Sequence, residues 1–581
     1  MGSVTLVRAG APVACIVLPA QPTEIEQQAA SDLRNYIKIM SGAELSITAG
    51  DVPDSEAVII GRHPLALSAV GNLLNDDTLG YDGIVISTHA NKLVLVGNRG
   101  QGTIHAVTRF LETLGCRFYL PHPDGHVVPA RDTITVGSLD YVHKPSFANR
   151  DFWGDKLNGP ELGYADLFRE WQRRTYIGGH EMVHGHCYAG FCSPERYFAE
   201  HPEYFPLVNV DGKMQRVKIG QLCLSNPEVL KLAANSAIRS LHTPDRAAAS
   251  LSPNDEYGWC ECANCKAMDS PDPKVGVAWR ALKFNNQVAE IVRKQCPDQY
   301  LAYYAEYINF PGPPVGMKAD AMIIPVIVNQ YDCIHSVSDR VTSDYAKTGY
   351  RCNADYVRVF DEWARIADRF IVYEWYDFPK HPIPSPMLYP AAERVKFYRD
   401  RNVVGYCGQI IGRSPVTDLT IYVVSQLLWD SSRSPESLTD EFFKLYFAES
   451  GDAMRDYYRM LHEPTTFNTR FRGFFAPAKA WTPELIARLY RTLDRAEAVA
   501  RQDVVKRRLA RERKCLMAID LITDAYRTES KRSVNPALDT RAAVRAKARR
   551  AIRYLESIKG EAAYSDGQAV GTLNELIEEM K

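Results

Sequence analysis

The sequence has no run of about 18 consecutive apolar residues, so a membrane-crossing helix is not expected. Its first residues, Met1-Gly-Ser-Val-Thr-Leu-Val-Arg-Ala-Gly10, lack the apolar core of a signal peptide. The chain is therefore expected to be soluble, either in the cytoplasm or secreted with a signal already removed, and the residues leave that choice open. A surplus of one charge is also missing. The formal net charge is −1 over 581 residues, which argues against a nucleic-acid or polybasic membrane partner. The basic run Lys506-Arg-Arg-Leu-Ala-Arg-Glu-Arg-Lys514 reads as the solvated face of a helix. Thirteen cysteines in this length are too few for a disulfide scaffold, and their odd number leaves at least one free. Cys15, Cys116, Cys296 and Cys515 stand alone and read as small buried hydrophobes. Internal repeats and low-complexity tracts are absent from the sequence, and nothing in it fixes an oligomeric state.

What is present is a long globular chain. Its hydrophobic fraction is 46%, and 581 residues exceed one ordinary core, so several domains are expected. Residues 1–140 read as a small α/β domain. Thr23 and Glu26 form a capping box before a helix whose apolar positions include Ile25, Ala29, Leu33, Ile37 and Met40, with Gly42 as its stop. Residues 141–435 alternate short β-like runs with helical stretches, the pattern of a parallel sheet built from βα units. Eight runs qualify as strands: Phe147–Phe152, Gly178–Val183, Gln221–Leu224, Ala247–Leu251, Tyr300–Tyr304, Met322–Val328, Phe370–Tyr373 and Val403–Tyr406. The expected fold class is α/β, with a central (β/α)8 barrel of the TIM type. Residues 436–581 read as a charged helical domain.

Chemistry in such a barrel gathers at the C-terminal ends of its strands. Asp255 and Glu256 follow the fourth run, Glu306 the fifth, and Glu374 ends the seventh. Glycoside hydrolysis needs two carboxyl groups flanking the scissile bond, one protonated and one ionised. Strands four and seven face each other across a barrel mouth, so Asp255 or Glu256 is expected as acid/base, with Glu374 as nucleophile or base. Tyr373, Trp375 and Tyr376 would desolvate Glu374 and raise its pKa. The first strand ends in Asn149-Arg-Asp-Phe-Trp153, where Arg150 could bind a substrate hydroxyl or carboxylate. Arg150, Trp153, His180, His184, Tyr304, Asn329 and Trp375 are the expected pocket lining.

His180-Glu-Met-Val-His184 has the letters of a His-Glu-x-x-His zinc motif, but that motif needs a helix to face both imidazoles one way. Gly178, Gly179 and Gly185 make this segment strand and loop, so sugar-binding histidines are the better reading. Cys260, Cys262 and Cys265 form Cys-x-Cys-x-x-Cys, three ligands where structural zinc usually takes four. Cys223, Cys192 or Cys187 could supply the fourth. Zinc, a disulfide and free thiols all stay open. No cofactor is expected to be required for catalysis.

The stretch Ser252-Pro-Asn-Asp255 with Trp259-Cys-x-Cys-x-x-Cys265 resembles the signature of a bacterial glycoside-hydrolase-like family, domain of unknown function 4838. His201-Pro-Glu-Tyr-Phe-Pro-Leu207, Gln221-Leu-Cys-Leu-Ser-Asn-Pro227, Tyr373-Glu-Trp-Tyr376 and Leu427-Leu-Trp-Asp430 are similar to the same family. Ala30-Ser-Asp-Leu-Arg-x-Tyr36 and Gly115-Cys-Arg-Phe-Tyr119 resemble the α/β domain that precedes the barrel in family 20 hexosaminidases and family 67 α-glucuronidases. The resemblance implies a retaining or inverting glycosidase on a (β/α)8 barrel, related to family 163 endo-β-N-acetylglucosaminidases. Glycine commonly follows the family's Asn-Asp, whereas Glu256 stands here, which favours Asp255 over Glu256. The sequence thus points to a glycoside hydrolase acting on a carbohydrate, with β-N-acetylglucosaminidase-type activity as the finer expectation. The alternatives are a non-catalytic glycan-binding barrel and a metal-dependent hydrolase.

Overall fold

The computed structural model describes residues 2–153, 165–256, 258–305, 312–329, 335–339, 353–376, 383, 386–410, 414–463, 481–534, 540–558 and 567–581. Glu306 lies outside them. The first part of the chain builds a six-stranded sheet. Its elements are β1 (Cys15–Leu18), α1 (Glu24–Ser41), β2 (Ile47–Ala49), β3 (Ala57–Ile60), β4 (Ile84–His89), β5 (Lys92–Gly97), α2 (Gly102–Thr113) and β6 (Asp140–His143). The strand order is β6-β4-β5-β3-β1-β2, parallel from β5 to β2 and antiparallel at β4 and β6. The capping box on α1 is present in full: Thr23 and Glu26 satisfy each other's backbone N–H groups, and Gly42 closes the helix in the left-handed conformation.

A second sheet is barrel-like. It uses β7 (Asn149–Trp153), β8 (Gly178–Gly179), β9 (Glu181–Met182), β12 (Arg246–Ser250), β13 (Tyr300–Tyr304), β14 (Ile323–Val328), β15 (Phe370–Tyr376) and β16 (Val403–Ile410). A separate hairpin, β10 (Leu207–Val210) and β11 (Lys213–Arg216), precedes β12. The helices between strands include α3 (Ala165–Arg174), α4 (Pro227–Leu241), α5 (Val277–Val292), α6 (Asn353–Trp363), α7 (Leu388–Arg399) and α8 (Pro415–Trp429). The strand order is β8-β7-β16-β15-β14-β13-β12-β9. Its two edge strands are consecutive pieces of one segment. Gly178 and Gly179 pair antiparallel with the start of β7, and Glu181 and Met182 pair parallel with β12. One short kinked segment thus bridges the ends of the sheet, so the eight strands come from seven chain segments.

The run Gln221–Leu224, expected as a strand, is a turn leading into α4. Its Asn226 caps that helix by accepting from the N–H groups of Glu228 and Val229, which commits the local backbone to a helix start. The kink has its own cause. Gly178 and Gly179 have φ of +147° and +99°, and a Cβ on Gly179 would lie 2.1 Å from the Ala148 carbonyl oxygen. Only glycine fits there.

Inside the sheet, Met182, Ala248, Ala302, Tyr304, Val326, Ile371, Tyr373 and Cys407 pack together. The strand residues between them face the helices. That outer core runs without a break into helices 435–581, from α9 (Pro435–Tyr446) to α14 (Gly567–Glu579), by way of α10 (Gly451–Leu461), α11 (Pro483–Val499), α12 (Asp503–Val534) and α13 (Arg541–Ser557). No helix of the described residues is long and apolar enough to cross a membrane.

Buried charge ties the two sheets together. Arg150, on the outer side of β7, forms an ion pair with Asp82, just before β4, and both are almost fully buried. The same guanidinium donates to the carbonyls of Tyr176 (2.7 Å) and Phe147 (2.8 Å) and lies over the Trp429 ring. Burial holds His105, beside Asp82, at a pKa of about 4, so it is neutral near pH 7 and Arg150 is the cation that matches Asp82. Arg174 on α3 repeats the pattern with Asp32 on α1, at 3.0 Å. Arg150→Met is expected to leave Asp82 buried without a cation and to cost about 3–5 kcal/mol in urea unfolding. Arg150→Lys is expected to restore little of it, because an ammonium cannot span the three acceptors at once.

Candidate functional site

A cavity of about 680 Å³ opens at the seam where the kinked segment bridges the sheet. Its walls come from β7, α3, the Gly178–Gly185 segment and Tyr304 of β13. Trp153, His180, His184 and Tyr304 all line it, as does Asp151, a residue not singled out by the sequence reading.

Strand alternation explains Asp151. Phe152 belongs to the outer core, whereas Trp153 packs into the cluster inside the sheet, and Asp151 shares its face. Its carboxyl accepts from the backbone N–H of Phe152, and burial raises its pKa above the ordinary carboxylate range. It also sits near enough to Cys407 to push that thiol upward as well. Asp151 is thus a carboxyl with a raised pKa that lines the cavity.

Aromatic rings share the interior of the sheet with it. Tyr304 and Tyr373 stack with centroids 5.7 Å apart. Trp153 lies 6.0 Å from Tyr373 and donates its indole N–H to Cys407 Sγ at 2.8 Å. Tyr373 donates to Gln409 Oε1 at 2.5 Å, which fixes its ring at the end of β16. Trp375 is half-buried in the same cluster, edge-on to Tyr373. His184 Nδ1 and the Tyr304 hydroxyl are hydrogen-bonded at 3.3 Å. Burial lowers His184 to about 4 and also lowers His180, whose ring packs on Tyr81, so both are neutral near pH 7. Neither His180 nor His184 is helical: they lie around β9 and just after it. The geometry of a His-Glu-x-x-His zinc site is therefore lacking.

Two expected site residues, Glu374 and Asn329, lie away from the cavity, and a third, Arg150, lines it with its guanidinium already engaged. Glu374 does not face the interior of the sheet. Its neighbours Tyr373 and Trp375 do, so alternation turns Glu374 toward α7. There it is almost fully buried, paired with Arg394 at 2.9 Å and accepting from Tyr398 and from Asn329 (2.9 Å). Asn329 therefore spends its amide on Glu374. Arg150 is consumed by Asp82 and two carbonyls. Glu374 and Asn329 thus bond each other away from the cavity, while Arg150 reaches the cavity wall with its guanidinium held by Asp82 and two carbonyls.

Asp255 and Glu256 lie on the exposed loop that leaves the C-terminal end of β12. They do not line the cavity, but the loop begins at its wall. Ser252 Oγ donates to the His184 carbonyl at 2.6 Å and accepts from the Tyr304 N–H at 3.0 Å. His186 Nδ1 donates to the Pro253 carbonyl at 2.5 Å, with its ring edge-on to Tyr304. The buried Gln221 then grips the loop, donating to the carbonyls of Asn254 and Glu256, both at 2.7 Å, and accepting from the Asn254 N–H. Farther along, Cys260, Cys262 and Cys265 meet Cys223. The four Sγ atoms all lie within 4.8 Å of one another, and this is the group among the described residues with the donor set and spacing for a metal ion. Of the other candidates for the fourth place, Cys187 turns its thiol to the carbonyls of Ser250 and Ser252, and Cys192 is buried in the outer core.

Residues 120–459 match the family model described as "Domain of unknown function (DUF4838)". The chain belongs to that family. Among solved structures, it is similar to BtGH115A, described as a family GH115 4-O-methyl-α-glucuronidase with specificity for decorated arabinogalactans. The TM-score is 0.58 at 12% identity, covering 97% of this chain and 78% of that one. The GH20 β-N-acetylhexosaminidase of Streptomyces coelicolor A3(2) also matches, with a TM-score of 0.39 and 10% identity over 78% of this chain and 92% of that one. No curated protein matches the chain in sequence. At these identities the likeness is one of fold.

Two outcomes follow from the buried carboxyls. Glu374→Gln leaves Arg394 charged and unmatched, so a loss of about 3–5 kcal/mol in unfolding free energy is expected. Asp151 behaves oppositely. Its pKa is raised in the folded state, so its ionisation opposes folding at neutral pH, and that penalty fades as pH falls through the raised value toward the unfolded one. Asp151→Asn is therefore expected to raise the melting temperature at neutral pH, with the gain shrinking in acid, as followed by scanning calorimetry across pH.

Proposed function

We propose that this DUF4838 chain is a glycoside hydrolase whose general acid is Asp151. The observation that carries the reading is a carboxyl whose pKa burial raises, lining a cavity of about 680 Å³ beside Trp153 and Tyr304. The fold shared with a 4-O-methyl-α-glucuronidase supports it, as does the fold's habit of placing chemistry at the C-terminal ends of its strands. In this reading Asp151 protonates the glycosidic oxygen. Trp153, Tyr304, Tyr373 and Trp375 take the apolar faces of the sugar, and neutral His180 and His184 hydrogen-bond its hydroxyls. The ionised partner comes from the loop after β12, as Asp255 or Glu256. If the substrate is a 2-acetamido sugar, its own amide oxygen can serve as nucleophile, and the loop carboxylate orients it. The cysteine cluster takes no part in the reaction.

The test is a panel of 4-nitrophenyl glycosides and natural glycans. It includes N-acetylglucosaminides, released N-glycans and uronic-acid-decorated polysaccharides. Asp151→Asn is expected to lose roughly 10²–10⁴-fold in kcat on natural glycans. The loss should be much smaller on 4-nitrophenyl glycosides, whose leaving group needs no proton. Whichever of Asp255→Asn and Glu256→Gln loses turnover on both substrate types carries the second role. The wild-type rate should fall as pH rises through the raised Asp151 value, above the ordinary aspartate pKa of about 3.9, and that limb should vanish in Asp151→Asn. Unchanged turnover of natural glycans by Asp151→Asn would remove the acid from the mechanism. Glycan binding without turnover on every substrate would favour a non-catalytic glycan-binding barrel instead.

A further inference from the structure

We infer that Cys223, Cys260, Cys262 and Cys265 bind one Zn²⁺ ion in a closed tetrathiolate site that clamps the loop carrying Asp255 and Glu256. The geometry of the sulfurs is the first argument. Cys223 Sγ lies 3.8 Å from both Cys262 Sγ and Cys265 Sγ. A disulfide would bring two sulfurs to about 2.05 Å. A tetrahedral zinc with Zn–S bonds of about 2.3 Å sets its sulfurs about 3.8 Å apart. Two of the six sulfur–sulfur distances have that value and all six lie within 4.8 Å, a spacing that a bound ion could draw into such a tetrahedron.

The surroundings are the second argument. The backbone N–H groups of Leu207 and Cys265 each donate to a sulfur at 3.4 Å, to Cys260 and Cys262 respectively. Arg216 Nη1 lies 3.6 Å from Cys260 Sγ. Ser225 Oγ lies 3.3 Å from Cys265 Sγ and 3.7 Å from Cys262 Sγ. Donors and a cation converging on sulfur suit thiolates, and the arginine offsets the double negative charge of a zinc tetrathiolate. Cys223, Cys260 and Cys265 are buried, and four protein ligands leave no open position, so the site is structural.

The connections give the site its purpose. Cys223 sits two residues after Gln221, which grips Asn254 and Glu256. The Cys260 sulfur takes the Leu207 N–H at the start of β10, and Arg216 reaches it from the end of β11. One ion therefore joins three segments: the turn before α4, the β10–β11 hairpin and the loop after β12. The loop with Asp255 and Glu256 is held at one end by Ser252 and at the other by the metal.

The test is elemental analysis of the full chain purified without added metal. About one zinc per chain is expected. Cys223→Ser and Cys262→Ser should each lose most of it, while Cys15→Ser and Cys515→Ser should keep it. Removing zinc with a strong chelator should lower the melting temperature and open the 252–265 loop to proteolysis before the rest of the chain. A zinc-free protein whose four thiols react with a thiol reagent while folded would overturn the inference, as would a disulfide within the four or iron in place of zinc. Should the serine variants fail to fold, the zinc content and thiol reactivity of the wild-type chain decide alone. None of these readouts depends on glycosidase activity, so the inference stands or falls apart from the proposed reaction.

Discussion

The buried pairing of Arg150 with Asp82 sets which way the first barrel strand faces. A strand of five residues has only two choices of face, and a slip of one residue exchanges them. Arg150 and Phe152 commit one face of β7 to the helices and to the neighbouring sheet. Asp151 and Trp153 are then committed to the interior. A guanidinium with a matching carboxylate and two carbonyl acceptors in a buried setting has no equally good alternative site in the opposite register. The candidate acid is thus positioned by the charge next to it in sequence.

Two carboxyls in this barrel show that burial alone does not mark a reactive group. Glu374 is the more deeply buried, yet Arg394, Tyr398 and Asn329 satisfy it. Its charge is matched where it stands, as in the structural ion-pair networks that also occur outside active sites. Asp151 has no ion-pair partner among the described residues, and burial raises its pKa above the ordinary carboxylate value. The difference lies in which face of its strand each carboxyl occupies. The inner face meets Trp153, Tyr304 and Tyr373, with Arg169 and Arg173 of α3 at the cavity wall, whereas the outer face of β15 meets Arg394 directly.

Much of this was legible in the residues. Seven of the eight expected barrel strands coincide in large part with observed strands, because β-branched and aromatic runs between helical stretches carry a strong signal. The eighth, Gln221–Leu224, failed because a short apolar run before Ser-Asn-Pro also suits a turn and a helix cap. Charges near strand ends were read as charges at the barrel mouth. Applying the strand alternation to Asn149-Arg-Asp-Phe-Trp153 and to Tyr373-Glu-Trp-Tyr376 would have turned Arg150 and Glu374 outward and Asp151 inward. Cys223 is one of three cysteines the sequence offers for the fourth place, and spacing cannot choose among them, since the choice depends on how the turn before α4 meets a loop nearly 40 residues later.

The seam explains why the cavity lies where it does. A full-length second strand would hydrogen-bond to β7 on one side and to β12 on the other, closing the wall over Asp151. Gly178 and Gly179 instead take conformations that β-carbons disfavour, and the Ala148 carbonyl occupies the space a side chain would need. The segment pairs with β7 only at Asn149 and Arg150 before crossing to β12. Among the described residues, Asp151 and Trp153 have no ladder partner on that side, and they line the cavity together with His184. On the other side of the segment, Ser252 Oγ ties the His184 carbonyl to the Tyr304 N–H, which fixes the His184 wall of the cavity to β13. The same serine begins the loop that carries Asp255 and Glu256. The hydroxyl that fixes the His184 wall therefore also sits at the root of that loop, so that cavity and loop geometry are coupled through a single side chain.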